Sequence, residues 1–196
     1  MRWTLHDVIE AAFTTLEEEG LDRLSLRGVA RTLGAHLNSV SWQVKTKHAL
    51  IETMADTIIG SVDTDDLPAD PTERVRVVAN RYRAAMLAHR DGGRLVAGTF
   101  TGTGRTLRVA DVIVGGLLEA GYSEPDAARL CWSIVYLTLG LTQEQQTPTE
   151  QPRAQFAELL NTGAYPALAK VGIDTMVDDT FDARFEYGIA RLLNLA

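Results

Sequence analysis

The stretch LSLRGVARTLGAHLNSVSWQVKTK, residues Leu24–Lys47, reads as two short helices joined by a tight turn. Ser25 can cap the first, whose inward face is Leu26, Val29, Ala30 and Leu33, and Gly34 can stop it. After a turn of about three or four residues, a second short helix starts near Leu37 or Asn38 and ends at Gln43. Val40 and Val44 face inward there. This is a helix–turn–helix pattern. Gly28 lies inside the first helix at a cost of about 1 kcal/mol relative to Ala, and the spacing gives no reason for it.

Working outward, Leu5, Val8, Ile9, Ala12, Phe13 and Leu16 follow the spacing of one apolar helical face. Thr4 with Asp7 forms a capping-box pattern ahead of that face, and Gly20 suits its end. On the other side, Thr46 can cap a helix with the stripe Leu50, Ile51, Met54 and Ile58. The Pro- and Asp-rich run SVDTDDLPADP, 61–71, reads as a loop. Helical spacing resumes at Val75, Val78, Tyr82 and Met86, then at Val109, Val112, Ile113 and Leu117. A further helix starts near Ser123 and carries Leu130, Ile134, Leu137 and Leu141. Gln143–Arg153, rich in Gln, Thr and Pro, reads as a loop. The last helix carries Phe181, Phe185, Ile189, Leu192 and Leu193. No alternating strand pattern and no repeat is found. The expected fold is all-α. A helix–turn–helix domain over 1–60, with its fourth helix a connector from about 47, is followed by a loop, 61–71, and a larger helical domain, 72–196.

Charge divides the chain the same way. Arg23–Ile51 holds Arg23, Arg27, Arg31, Lys45 and Lys47 without one Asp or Glu, although the formal net charge is −7. Residues 1–50 carry six basic and six acidic side chains, leaving thirteen against twenty for 51–196. A basic surface on an acidic chain fits a module that meets a polyanion. The uncharged outward residues of the second short helix, Asn38, Ser39, Ser41 and Gln43, can pair with base edges in a major groove. A merely solvated face would more often carry Glu and Lys. Lys47, in the first turn of the next helix, opposes the helix dipole unless that N-terminus faces phosphate.

Cys131 is the single cysteine, which excludes an intrachain disulfide and a cysteine-based zinc site and fits the cytoplasm. The N-terminal MRWTLHDVIE has no signal core, and no apolar run is long enough to span a membrane. The segment GTFTGTGRT, 98–106, lacks the spacing of a phosphate loop and reads as a loop before a helix. His6, His36, His48 and His89 show no ligand spacing. His89 with Asp91 suits a helix terminus better than a catalytic pair. Ser133 and Cys131 lie in an apolar run with no His or Asp beside them. No catalytic residue, metal site or cofactor is expected.

Residues 4–60 resemble the DNA-binding domain of the tetracycline-repressor (TetR) family. The resemblance rests on Glu19-Gly20-Leu21, on Leu26-Arg27-x-Val29-Ala30, and on Leu33-Gly34. It continues through Val40-x-Trp42-x-Val44-Lys45-x-Lys47-x-Ala49-Leu50. Trp42-x-Val44-Lys45-x-Lys47 is most similar to the tetracycline-repressor subgroup. Weaker likeness runs on through His89-Arg90-Asp91-Gly92, Gly98-Thr99, Gly121-Tyr122-Ser123, Thr138-Leu139-Gly140 and Glu144. The resemblance implies a homodimer on a palindromic double-stranded operator, joined by a four-helix bundle from roughly Asp126–Leu141 and Phe181–Leu193. Bases would be met by Asn38, Ser39, Ser41 and Gln43, and phosphates by Arg27, Lys45 and Lys47, with Trp42 in the same DNA-binding set. Ser41 and Gln43 stand where the family usually has Tyr and His, so a different operator is implied.

The resemblance also implies a small-molecule effector. In the tetracycline-repressor subgroup, drug-bound magnesium is held by a histidine, with an asparagine and a glutamine on the drug. Val96, Val78 and Ile113 stand at those positions, and only Glu144 keeps a metal-ligand type. A hard cation wants oxygen ligands, so a largely apolar effector is expected instead. Tyr82, Met86, Phe100, Trp132 and Tyr136 are candidate cavity residues, by the rule that such pockets are apolar with few polar anchors. Val96, Thr99, Ile113, Leu117, Cys131, Val135 and Glu144 complete the expected set. The readings left open are a ligand-released repressor, a constitutive dimeric regulator without effector, and an all-α enzyme with an incidental basic window.

Overall fold

A computed structural model of the chain describes residues 3–99, 102–147, 153–177 and 179–195. The described residues form helices and no strand. Two compact units are present, Met1–Gln146 and Thr147–Ala196. The first contains α1 (Leu5–Glu19), α2 (Leu26–Leu33), α3 (Leu37–Gln43) and α4 (Lys47–Gly60), then α5 (Pro71–Leu87), α6 (Gly92–Ala97), α7 (Gly104–Glu119) and α8 (Glu124–Gln146).

Local signals set the ends of the first helices. Thr4 and Asp7 form a reciprocal capping box, with Asp7 N–H donating to Thr4 Oγ1 and Thr4 N–H to the Asp7 carboxylate at 2.7 Å. Ser25 accepts from Gly28 N–H and Thr46 from Ala49 N–H. Gly34 closes α2 in the left-handed region at φ 65°. Gly28 acquires its reason here: a Cβ would lie 3.2 Å from Thr15 Cγ2 and 3.3 Å from Ser25 Oγ, because α2 crosses α1 at this point. Val8, Ala12, Leu16, Val29, Val40 and Leu50 are buried into one small core.

Beyond the loop, α5 packs on α7 and α8, α6 on α8, and α4 on α1, α6 and α7. Val75, Val78, Tyr82, Met86, Val109, Ile113 and Leu117 are buried, as their spacing predicts. Two expectations need correction. On α8 the buried face is Ala127, Cys131, Ile134, Thr138 and Thr142, while Leu130, Leu137 and Leu141 are half-buried. Threonines sit inside because their hydroxyls bond to their own helix, Thr138 to Ile134 O and Thr142 to Thr138 O. Gln143–Gln146, expected in a loop, belong to the end of α8. The glutamines there have tertiary partners: Gln146 Nε2 donates to the carbonyls of Met86 and His89, its Oε1 accepts from Gly93 N–H, and Arg83 donates to Gln145.

The second unit holds α9 (Arg153–Asn161), α10 (Pro166–Val171), α11 (Ile173–Val177) and α12 (Phe181–Leu192). The first three pack on one another and contain no buried residue. α12 is capped by Thr180 and buries Phe185 and Ile189.

Candidate DNA interface and effector cavity

The helix–turn–helix core fixes which side chains of α3 point outward. Val40 and Val44 are buried, so the residues between them turn away from the core. Asn38 is exposed, Ser39 and Ser41 are half-buried, and Trp42 is 77% exposed. Arg23, Arg27 and Lys45 are exposed, and none of their side chains makes an ion pair or hydrogen bond among the described residues. Arg31 differs, because it pairs with Glu19. Lys47 is exposed with its ammonium 3.4 Å from the Leu21 carbonyl. Gln43 is half-buried, and its Nε2 donates to the Trp3 carbonyl at 2.6 Å. That bond occupies one amide donor and ties the end of α3 to the start of α1.

The turn between α1 and α2 is fastened to the start of α6. Asp91 stands at the N-cap position of α6 at φ 55°, and its carboxylate, instead of capping that helix, accepts from Leu21 N–H at 2.9 Å. Arg94 pairs with Asp22 at 2.8 Å. Arg94, by hydrogen bond and charge, holds the Asp22 carboxyl below the usual range. Arg90 N–H donates to the Glu17 carboxylate, and its guanidinium to the carbonyls of Glu17 and Glu18. His89 stacks on Phe13 with ring centroids 4.4 Å apart. His89 and Asp91 therefore serve separate contacts to the first helices, as structural groups.

A cavity of about 320 Å³ opens among α5, α6, α7 and α8. Of the expected residues, Tyr82, Val96, Thr99, Ile113, Cys131, Trp132, Val135 and Tyr136 line it. Met86 and Leu117 do not. Each lies one helical turn beyond a lining residue, and both are sealed in the core at 0% exposure. Glu144 is exposed near the end of α8, away from the wall. Phe100 lies outside the described residues. Val78 is fully buried and also off the wall.

The wall includes residues that the sequence reading did not select: Ala97, Gly102, Thr106, Leu107, Val109, Ala110 and Leu139. Thr106, Val109 and Ala110 share the α7 face of Ile113, and Leu139 stands one turn after Val135, so helical spacing could have added them. Ile59, from α4, also lines the cavity, and nothing local marks it.

No lining residue bears a formal charge at neutral pH. Burial pushes the Tyr82 phenol up to about 12, with the nearby Cys131 adding, and burial raises the Cys131 thiol. A polar link joins α4 to the start of α7, two helices that each contribute to the wall. Thr103, which caps α7, donates from its hydroxyl to Asp56 of α4, and Arg105 approaches the same carboxylate at 3.8 Å. Gly60 makes room for Arg105, since a Cβ there would fall 2.5 Å from Arg105 Cδ.

Comparison with known proteins bears on both parts. Residues 66–194 match the family described as "Tetracyclin repressor-like, C-terminal domain". Over 190 residues the chain is 32% identical to the class A tetracycline repressor protein from transposon 1721 of Escherichia coli, covering 95% of this chain and 87% of that one. The chain belongs to the tetracycline-repressor family. Members of this family are transcriptional regulators and not enzymes. A crystal structure of a possible TetR-family regulator from Streptomyces coelicolor A3(2) is 34% identical, with a TM-score of 0.83 over 97% of both chains. That of BioQ with its double-stranded DNA operator is 25% identical, with a TM-score of 0.67 over 82% of this chain and 97% of that one.

Proposed function

We propose that this TetR-family regulator is a repressor that binds a palindromic operator as a homodimer and lets go when a small, largely apolar molecule fills the cavity. The observation that carries the reading is the place of α4. This helix directly follows the reading helix α3, supplies Ile59 to the cavity wall, and is tied to α7 through Asp56 and Thr103.

On DNA, Asn38, Ser39 and Ser41 would meet base edges, and Trp42 would offer its exposed ring to thymine methyls or sugars. Arg27 and Lys45, free of partners within the described residues, would contact phosphates and set the register. Lys47 would sit at the capped N-terminus of α4, where N–H groups and ammonium face one anion. Gln43 would act indirectly, by holding Trp3 against the end of α3. BioQ with its operator supports a DNA partner by relationship. Two half-sites give affinity that one small domain lacks, and the half-buried Leu130, Leu137 and Leu141 on α8 suit a helix-to-helix dimer contact. Among the described residues no helix is long and apolar enough to cross a membrane, which fits action on cytoplasmic DNA.

The effector must bind the DNA-released state better than the operator-bound state, or it shifts nothing. A coupling of about 1–3 kcal/mol would change operator affinity roughly 5–150-fold. A wall of aliphatic and aromatic side chains with Val96 and Ile113 in it does not suit a drug–magnesium pair. A gel shift against DNA from the protein's own promoter region, at two salt concentrations, tests the reading. Binding that weakens steeply with salt and yields to an apolar ligand is expected. Salt-sensitive binding that no ligand relieves would leave a constitutive regulator, and an absence of binding would remove the operator reading.

A further inference from the structure

Among the described residues, the cavity wall contains one deeply buried hydroxyl whose chemistry the fold leaves unanswered, whereas the indole N–H of Trp132 and the phenol of Tyr136 belong to half-exposed side chains within reach of water. Tyr82 lines the wall and is 6% exposed. Its hydroxyl has no hydrogen-bond partner among the described residues, yet it is not among the fully occluded polar atoms, so it keeps contact with open space. Burial holds the phenol in its protonated form far above neutral pH, so the group is a standing donor. Thr99 cannot take the same part, since its hydroxyl donates to the Val96 carbonyl at 2.9 Å. The Cys131 thiol is a weak donor.

The outer edge of the same cavity is aromatic. Trp132 and Tyr136 stack with centroids 5.5 Å apart and planes 24° apart. They are 49% and 64% exposed although both line the cavity. Solvent-exposed aromatic faces one helical turn apart offer a flat molecule a surface to lie against. Aliphatic side chains, among them Val96, Ile113 and Val135, line the same cavity.

We infer that the cavity selects an uncharged, flat aromatic molecule of two or three fused rings bearing a carbonyl oxygen, which accepts from Tyr82 while the rings reach the Trp132–Tyr136 stack. This deepens the effector reading above and rests on it. The size fits, because about 320 Å³ lies at the lower end of the range for small-molecule sites. The exclusion of charge follows from the wall: a carboxylate would lose its water and meet no cation. A donor that is otherwise unanswered rewards an acceptor and penalises a hydrocarbon of equal shape.

The test uses the full chain and three probes substituted at one ring position: acetylnaphthalene, ethylnaphthalene and naphthoate. Affinities are measured by calorimetry for the native protein, Tyr82→Phe and Trp132→Ala, after checking that all three melt alike. The ketone should bind roughly five- to tenfold more tightly than the hydrocarbon, and naphthoate most weakly. Tyr82→Phe should bring the ketone-to-hydrocarbon ratio close to one without weakening the hydrocarbon, and Trp132→Ala should weaken all three probes. A ratio near one in the native protein, a ratio that survives Tyr82→Phe, tight naphthoate, or no binding at all overturns the inference. Operator release measured in parallel separates the two levels. A Tyr82-dependent preference without any change in operator affinity supports the selection and refutes the effector reading. Release by a ligand indifferent to Tyr82→Phe does the reverse.

Discussion

Gly115 and Gly116, adjacent towards the C-terminal end of α7, should respond in opposite directions to alanine. Each replacement removes the helix penalty of glycine, a gain of about 1 kcal/mol. At Gly115 nothing lies within 4 Å of the new Cβ, so the gain stands. At Gly116 the Cβ would fall 2.7 Å from Val75 Cγ2 and 2.9 Å from the Pro71 carbonyl. Val75 is β-branched and fully buried, and the Pro71 carbonyl is backbone at the start of α5, so neither moves alone. The two helices must separate, at an overpacking cost of about 1–3 kcal/mol. Gly115→Ala should therefore gain up to about 1 kcal/mol and Gly116→Ala lose up to about 2 kcal/mol. For a chain of this length the split corresponds to roughly 5–10 °C in Tm. Thermal unfolding followed by circular dichroism, at one protein concentration, reads it directly. Equal rises for both variants would refute the close approach of α5 and α7. The approach matters beyond stability, because these helices supply Tyr82 and Ile113 to the cavity.

Asp56→Asn and Thr103→Val should leave ligand-free operator affinity within about twofold but reduce ligand-induced release below about fivefold, as a titrated gel shift would show. Gln43→Ala should weaken binding to all operator variants alike by freeing Trp3, whereas Asn38→Ala should alter base preference; selection from a randomised operator pool distinguishes them. Lys45→Ala should lower the slope of log affinity against log salt by about one, measured by anisotropy across a salt series. Tyr82 holds its proton more tightly folded than unfolded, so its contribution is full below about pH 10 and is lost as pH rises towards about 12. Unfolding free energies from urea titrations at about pH 9 and about pH 11.5 should differ less in Tyr82→Phe, the native excess reaching about 2 kcal/mol.

The helix ends of the first part were legible because each depends on one or two neighbouring residues. Thr4, Ser25, Gly34 and Thr46 act on their own backbone within a turn. The α8 glutamines were misread for the complementary reason. Gln145 and Gln146 look like loop residues by composition, but their amides answer Arg83, Met86, His89 and Gly93, all far away along the chain. The buried face of α8 was misjudged because Thr138 and Thr142 hide their hydroxyls in their own helix and so pass as apolar. Cavity residues on α7 and α8 were partly legible from helical spacing, while Ile59 and the Asp56–Thr103 link were not.

By itself, then, the sequence determined an all-α chain with a basic N-terminal window and, within it, a short uncharged helix whose inward and outward residues are settled by a 3.6-residue period. Period and capping are local, so they survive without knowledge of the fold. The tertiary structure alone decided that Gln43 holds Trp3, that Met86 and Leu117 are sealed while Tyr82 faces a cavity, and that α4 supplies part of the cavity wall. Those outcomes depend on which helices meet and how closely. Helix approach is fixed by whole surfaces packing together, with glycines such as Gly28 and Gly116 setting the distance.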